Sequence, residues 1–494
     1  MHPYCGGFFQ MRFNYQVIAN IIGLLLMLNG IFMLLCIPFS VYFGEGDLMA
    51  ITISGVVTIL SGAILWLLTR KLTNKELKKK DGYLIVTLGW LSMSCFGTLP
   101  YIFSGAIPNF TDAFFETISG YTTTGASILT DIEAVHQGIL FWRSLTQWIG
   151  GMGIIVLAVA ILPILGIGGM QLFVAEAPGI SPDKLQPRIK ETAKRLWLIY
   201  VMLTGIETVL LWIGGMTFFD AINHGLTTMA TGGFSTKNTS AAHFTPFIQY
   251  VMILFMFLAG TNFTMTYFGL HGQFKKVVKN EEFRFYLGTC ILLTVITSVA
   301  IYFVSGSGFE RSFRDGLFQV VSVITTTGYV SADYTQWSSF ITILFFVMMF
   351  IGASAGSTAG GVKIVRHVIL LKNSILELKR QLHPSAIIPV RFNKTAVPRD
   401  ITFNILAFIM IYISIFSLGS IIMSSMGVDL ETAMGAVATS LGNIGPGIGS
   451  VGPVDNFAHL PMFGKWFLSF LMLLGRLELF TVLMLLTPYF WRKL

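Results

Sequence analysis

The sequence predicts an all-α polytopic membrane protein in which four pseudo-symmetric helix–pore loop–helix repeats surround a central pore, with two extra N-terminal transmembrane helices ahead of them. Three observations carry this. The mean hydropathy of +0.73, with 54% hydrophobic and only 11% charged residues, lies far from soluble usage. Several apolar runs exceed the ~20 residues that cross a bilayer. Four short segments recur with a glycine in nearly fixed register, and internal repetition decides a fold before any other feature.

Apolar spans fall near 17–43, 49–69, 82–104, 140–168, 196–217, 247–269, 286–305, 338–371, 401–425 and 463–488. That gives ten expected crossings. The first two, joined only by Gly44–Asp47, form an accessory hairpin with its basic linker over 1–81. The run 17–43 is too long for a signal-peptide core and is expected to remain as an anchor. The other eight spans group as repeats over 82–195, 196–285, 286–400 and 401–494, the third with a broken second helix. Lys and Arg crowd into 70–81, 170–195, 270–285 and 372–400, which places these connections and both termini in the cytoplasm. The alternate loops then enter from outside, all from one side, unlike an inverted-repeat transporter.

Those alternate loops hold the candidate chemistry. The first contains Thr122, Thr123, Thr124 and Gly125, then Ala126; the second Ala230, Thr231, Gly232 and Gly233, then Phe234. The third contains Thr325, Thr326, Thr327 and Gly328, then Tyr329; the fourth Asn443, Ile444 and Gly445, then Pro446. The glycines are 108, 95 and 117 residues apart. A threonine run ending in glycine can turn consecutive carbonyls toward one axis, where a carbonyl ring replaces the water shell of a monovalent cation. Glycine suits a backbone conformation that a Cβ resists. The simpler alternative, small residues packing helices together, does not account for four copies in register. Only two of the four loops read Thr-Thr-Thr-Gly, so the ring is pseudo-symmetric.

Asp112, Asp220 and Asp315 each stand 13 residues before their glycines and Glu431 stands 14 before Gly445. They are expected mainly to cap the pore helices, and a ring of carboxylates at the outer mouth would also concentrate cations. Inside the span 338–371 lies Gly352, Ala353, Ser354, Ala355, Gly356, Ser357, Thr358, Ala359, Gly360 and Gly361. Such a run should unwind a transmembrane helix and serve as a gate or hinge, the alternative being a close-packing face. Arg476 sits near the centre of the last span, where a charge is expensive and faces the bundle interior or a watery path. The 352–361 carbonyls are its expected partners; Glu478, two residues on, does not share its helical face.

The net charge of +8 reflects the cytoplasmic loops, not nucleic-acid binding. The run Lys75–Lys80 reads as an inside-positive flank, with a lipid or partner contact as the sharper alternative. Cys5, Cys36, Cys95 and Cys290 have no paired spacing and read as core residues. No phosphate loop, HExxH or metal-spaced histidine cluster occurs in the sequence, so an enzyme is not expected.

The four loops TTTGAS, ATGGFS, TTTGYVS and GNIGPG, with GSTAGGVKIVR from Gly356 to Arg366 and GRLELFT from Gly475 to Thr481, resemble the Trk/Ktr/HKT superfamily of cation transporters. The two leading spans make the chain similar to the bacterial Trk-type membrane subunit, over essentially its whole length. The resemblance implies K+ uptake across the bacterial inner membrane, with Gly125, Gly233, Gly328 and Gly445 at the filter, K+ as the transported ion, and no cofactor in this chain. In the superfamily a glycine at the first filter goes with K+ and a serine with Na+. The 352–361 run and Arg476 match its intramembrane loop and last-helix arginine. It further implies a homodimer and a cytosolic regulatory subunit that binds NAD(H) or ATP/ADP through Rossmann-like domains, none of which is expected in this sequence. The rival readings are a symporter coupling K+ to Na+ or H+, which needs a buried carboxyl such as Glu478 or Glu207, and a non-conducting membrane sensor, which would not need four filters.

Overall fold

A computed structural model of the chain describes residues 13–70, 79–161, 189–383 and 388–491. Part of the expected span 140–168 and all the basic residues of 71–78 and 162–188 lie outside the described residues. The described residues are mostly helical, as expected. Helix α1 (Tyr15–Leu34) starts at Asn14, whose side chain accepts from the Val17 N–H, and α2 (Ile37–Phe43) stops at left-handed Gly44. Helix α3 (Leu48–Thr69) returns along α1. A Cβ on Gly23 would lie 2.7 Å from the Gly62 carbonyl oxygen, and one on Gly30 2.7 Å from that of Gly55. Glycines are what allow the two backbones this contact, which drives helix pairing in lipid through van der Waals packing.

The first repeat runs through α4 (Lys79–Gly97), α5 (Leu99–Ser104), the short helix α6 (Phe110–Tyr121) and α7 (Gln137–Ile161). The second has α8 (Ile189–Ile213), short α9 (Phe218–Met229), α10 (Pro246–Ala259) and α11 (Phe263–Leu270), and α12 (Phe274–Lys279) leads away from it. The third has α13 (Glu281–Ser305), short α14 (Phe309–Ile324), α15 (Ser339–Met348) and α16 (Ile364–Leu382). Strands β1 (Arg391–Phe392) and β2 (Thr395–Ala396) then pair antiparallel around Asn393 and Lys394, both at positive φ, as a two-residue hairpin turn requires. The fourth repeat has α17 (Arg399–Ser425), short α18 (Leu430–Gly442), α19 (Met462–Arg476) and α20 (Phe480–Leu486), and α21 (Pro488–Trp491) follows it.

Two spans expected to be continuous are broken. Helices α10 and α11 meet at 111°, and α19 and α20 at 120°. The described residues hold six helices long and apolar enough to cross a membrane, or up to eight when each bent pair counts as one span, against ten expected crossings. The breaks have local causes. At the first, Asn262 leaves the helix and its side chain caps α11 by accepting from the Thr264 N–H at 2.8 Å. At the second, Glu478 and Leu479 both adopt φ of 55°, a left-handed conformation that ends a right-handed helix. Helix α7 also carries a non-helical residue, Gly153, with φ of 67°. The second helix of every repeat is thus interrupted near its middle or far end, where the third was expected to be the exception. The short helices α6, α9, α14 and α18 lie at the centre and are buried over nearly their whole second halves, held by the longer helices around them.

Candidate functional site

Each short central helix runs straight into one of the glycine strands, and the four strands share one backbone course. Thr122, Ala230 and Thr325 close their helices with right-handed or near-right-handed backbone. The next residues, Thr123, Thr231, Thr326 and Asn443, are all left-handed, with φ of 52°, 54°, 55° and 53°. Two residues further on, Gly125, Gly233, Gly328 and Gly445 have φ of 82°, 74°, 82° and 102°. This second left-handed position explains why glycine alone recurs there. Asparagine stands at the first in the fourth strand, and it tolerates that conformation better than most residues.

The glycines also show how the strands close. A Cβ on Gly125 would collide with the Gly232 carbonyl oxygen, one on Gly233 with that of Thr327, and one on Gly328 with that of Ile444. One on Gly445 would lie 2.8 Å from the Thr124 oxygen. The strands therefore form a ring in the order first, second, third, fourth and back to first. Side chains join them at the seams. Tyr329 Oη meets Thr227 Oγ1 at 2.5 Å, linking third to second; Asn443 Nδ2 donates to Thr124 Oγ1 at 3.0 Å and to the Met472 carbonyl at 2.8 Å, linking fourth to first. Pro446 lies against Gly328 between third and fourth.

The segment 349–363 is non-helical and passes directly against the strands. Gly360 N donates to Thr326 Oγ1 at 2.7 Å, and a Cβ on Gly360 would lie 2.7 Å from that of Asn443. Thr358 Oγ1 donates to the Met229 carbonyl at 3.0 Å, while Phe263 N donates to the Gly356 carbonyl at 3.0 Å. Ala355 N donates to Glu282 Oε1 at 2.6 Å. Irregular backbone at this depth must be satisfied by protein or water, and these bonds do so. Arg476 joins the loop to two repeats: Nη1 donates to the Thr358 carbonyl at 2.7 Å, and Nη2 to the carbonyls of Gly150 and, at 3.1 Å, Gly151. Glu478 pairs with Arg366.

The family model for the TrkH cation transport proteins matches residues 47–492. The chain belongs to the TrkH family. A Trk system potassium uptake protein TrkH of Salmonella typhimurium is 42% identical across 97% of this chain and 100% of its own length. The TrkI potassium uptake protein of Halomonas elongata is 35% identical over 96% of this chain and 97% of its own. The crystal structure of the potassium transporter TrkH from Vibrio parahaemolyticus superposes with a TM-score of 0.88 at 37% identity, covering 97% of this chain and all of that one. The TrkH family is one of membrane transporters, not enzymes. Among the described residues of this TrkH-family chain, no group of three or more His, Cys, Asp or Glu could hold a metal ion.

The acidic residues do not sit where capping was expected. The N-caps of α6, α9, α14 and α18 are Asn109, Thr217, Gly308 and Asp429, because the residue whose backbone leaves the helix comes earlier. Asp112, Asp220 and Glu431 fall in the first turn, whereas Asp315 lies well inside α14. Asp220 supports the Thr217 cap, donating its N–H to Thr217 Oγ1 at 3.0 Å while its carboxylate accepts from that hydroxyl at 2.8 Å. Asp112 pairs with Lys465 at 2.6 Å, Asp315 lies 3.7 Å from Arg311, and Glu431 is exposed.

Sequence reasoning missed three buried polar residues of this TrkH-family site: Glu116 on α6, and Arg143 and Gln147 on α7. The signal was available for Arg143, a charge inside an apolar span.

Proposed function

We propose that the chain takes up K+ across the bacterial inner membrane through the four glycine strands. The observation that carries this is the ring of Gly125, Gly233, Gly328 and Gly445, each left-handed and each packed on the carbonyl before the next repeat's glycine. Alternating right- and left-handed residues turn successive carbonyls to one side of a strand, and four such strands around an axis supply the oxygens that replace an ion's hydration shell. The short central helices would direct the negative ends of their dipoles toward the strands, favouring a cation. The four acids would stand at the outer mouth, with both termini in the cytoplasm. The 352–361 loop and Arg476 form the gate: the loop lies against Thr326 and Asn443 at the start of two strands, and the guanidinium fixes it to two other repeats. A homodimer, with control by a separate cytosolic subunit that binds NAD(H) or ATP/ADP, completes the reading.

Radioactive Rb+ and Na+ entry into liposomes holding the purified protein, beside a Gly328→Ser variant, tests the filter. Rb+ entry that the serine weakens or turns toward Na+ is expected. Na+ entering equally well through both proteins would sink the assignment. Coupled symport is the weaker reading, since the ion pair with Arg366 engages Glu478. It would have to use Glu207, which is fully buried on α8; Glu207→Gln is expected to leave Rb+ uptake unchanged.

A further inference from the structure

We infer that Glu116 and Arg143, with Gln147 one turn further along α7, form a positioning bracket that holds the first and second filter strands in register and so sets ion discrimination at their seam. The inference rests on the filter reading above.

The geometry is specific to these side chains. Glu116, fully buried on α6, accepts from Arg143 Nε at 2.7 Å. Its other contacts lie just past the first glycine: it accepts from Ser127 Oγ at 3.0 Å and from the Ile128 N–H at 2.9 Å. Arg143, 3% exposed, reaches the second strand instead. Its Nη1 donates to the Ser235 carbonyl at 3.0 Å and its guanidinium lies 3.5 Å from the centre of the Phe234 ring. Gln147 straddles the second glycine, donating to the Gly232 carbonyl at 2.6 Å and accepting from the Phe234 N–H at 3.1 Å. One charge pair and one amide thus hold the first strand just past Gly125 and the backbone groups on both sides of Gly233. A guanidinium is suited to this because its planar fork serves a carboxylate, a carbonyl and an aromatic face together.

The other repeats lack this device. Gly151 on α7 faces Ala230, and Gly260 faces Thr325; both targets stand three residues before a filter glycine. Gly150 and Gly475 each face the carbonyl four residues before one, Tyr121 and Leu441. Gly151, Gly260 and Arg476 are therefore equivalent positions. Arg143 and Gln147 precede Gly151 by eight and four residues; the same offsets give Met252 and Met256 in the second repeat, and Leu468 and Met472 in the fourth, all buried. The Glu116 position, nine residues before the glycine, holds His224, Gln319 and Ala436 elsewhere. His224 reaches Ser235 Oγ at 2.9 Å and Gln319 donates to the Ala332 carbonyl at 2.8 Å, so the post-glycine strand is pinned in three repeats, but by an ion pair only in the first. A buried ion pair is weak support for stability alone; its retention at one seam of a cation filter fits a role in geometry and charge balance.

The test is Rb+ and Na+ entry into liposomes for Glu116→Gln, Arg143→Lys and the double variant Glu116→Gln/Arg143→Met, with Gly328→Ser alongside. Glu116→Gln leaves an uncompensated cation and should lower entry of both ions about tenfold, as one charge does over a distance on the order of 10 Å in protein. The double variant removes that imbalance and should regain the flux. The Rb+/Na+ ratio should fall several-fold in all three variants, including Arg143→Lys, which keeps the charge and loses the fork. A bracket needed only for folding would lower the amount of protein and total flux without moving the ratio. Parental ratios in folded Arg143→Lys and Glu116→Gln, where Gly328→Ser does shift the ratio, would overturn the bracket and leave the filter standing. Rb+ entry and a Rb+/Na+ ratio both left unmoved by Gly328→Ser overturn the filter reading itself.

Discussion

Arg476 Nη1 donates to the Thr358 carbonyl at 2.7 Å, so the end of α19 and the middle of the 352–361 loop are held together across the bundle. The loop carbonyl would otherwise need water or another donor at that depth. Charge-assisted bonds of this kind are worth about 1.5–3 kcal/mol each. Arg476→Ala is therefore expected to raise Rb+ uptake by on the order of tenfold in liposomes, through a larger open fraction, with the Rb+/Na+ ratio unchanged. Uptake at the parental level would remove the arginine from the gate.

Shortening the loop tests the same gate from the other side. Replacing Gly352–Gly361 by a briefer linker removes the contacts to Thr326 and Asn443 and is expected to raise flux. Flux that stays at the parental level would count against the loop as the barrier.

The four glycines should not respond equally to serine. Gly445 has the most room, its added Cβ lying 2.8 Å from the Thr124 oxygen, whereas at the other three the Cβ overlaps the neighbouring carbonyl. Gly445→Ser is expected to retain more Rb+ uptake than Gly125→Ser, Gly233→Ser or Gly328→Ser, measured side by side at matched protein.

Asn443 separates backbone from side-chain effects. Asn443→Gly keeps the left-handed conformation and loses the bonds to Thr124 Oγ1 and the Met472 carbonyl; Asn443→Ala loses both bonds and strains the backbone. Thermal unfolding in detergent should show the alanine variant less stable than the glycine variant by about 1 kcal/mol, the cost of left-handed backbone at a residue with a Cβ.

Asp429 caps α18 by accepting from the Thr432 N–H at 2.9 Å, and that bond holds its carboxyl below the usual range. A carboxyl depressed on folding adds stability above its unfolded pKa of ~3.9 and loses it as pH falls through the lower folded value. Asp429→Ala should cost about 1 kcal/mol at neutral pH, with the gap to the parent closing only in acid below about pH 4.

The glycine register was legible in the sequence because a left-handed position where a Cβ would also meet the next strand's carbonyl admits only glycine, leaving a mark that survives when the threonines around it change. The Gly352–Gly361 break was legible for the opposite reason: ten small residues cannot hold a helix in an apolar span. The breaks after Ala259 and Arg476 were not, since each spans only three residues, Gly260–Asn262 and Leu477–Leu479, and leaves the surrounding apolar run intact. The first break is also held from outside its span, where the Phe263 N–H at the start of α11 donates to the Gly356 carbonyl. The caps were misplaced because the acids are in register with the glycines while the helix starts are not. Helix α14 begins six residues before Asp315, drawn back over the polar Glu310–Arg314 turn by an ion pair of 2.9 Å. Glu116 and Arg143 are 27 residues apart in sequence and fully meaningful only together.

The ring of strands has a rotational sense. Each glycine abuts the carbonyl of the repeat that follows it, so bulk added at one position presses on the neighbour downstream and not on its own strand. Damage at Gly125 is felt first by the second strand, at Gly233 by the third, at Gly328 by the fourth. In a homotetramer this asymmetry would be invisible, because every copy changes at once. A single chain that spells out all four strands lets each neighbour adapt separately, and second-site suppressors of a filter lesion are accordingly expected one repeat ahead of it, always in the same direction around the axis.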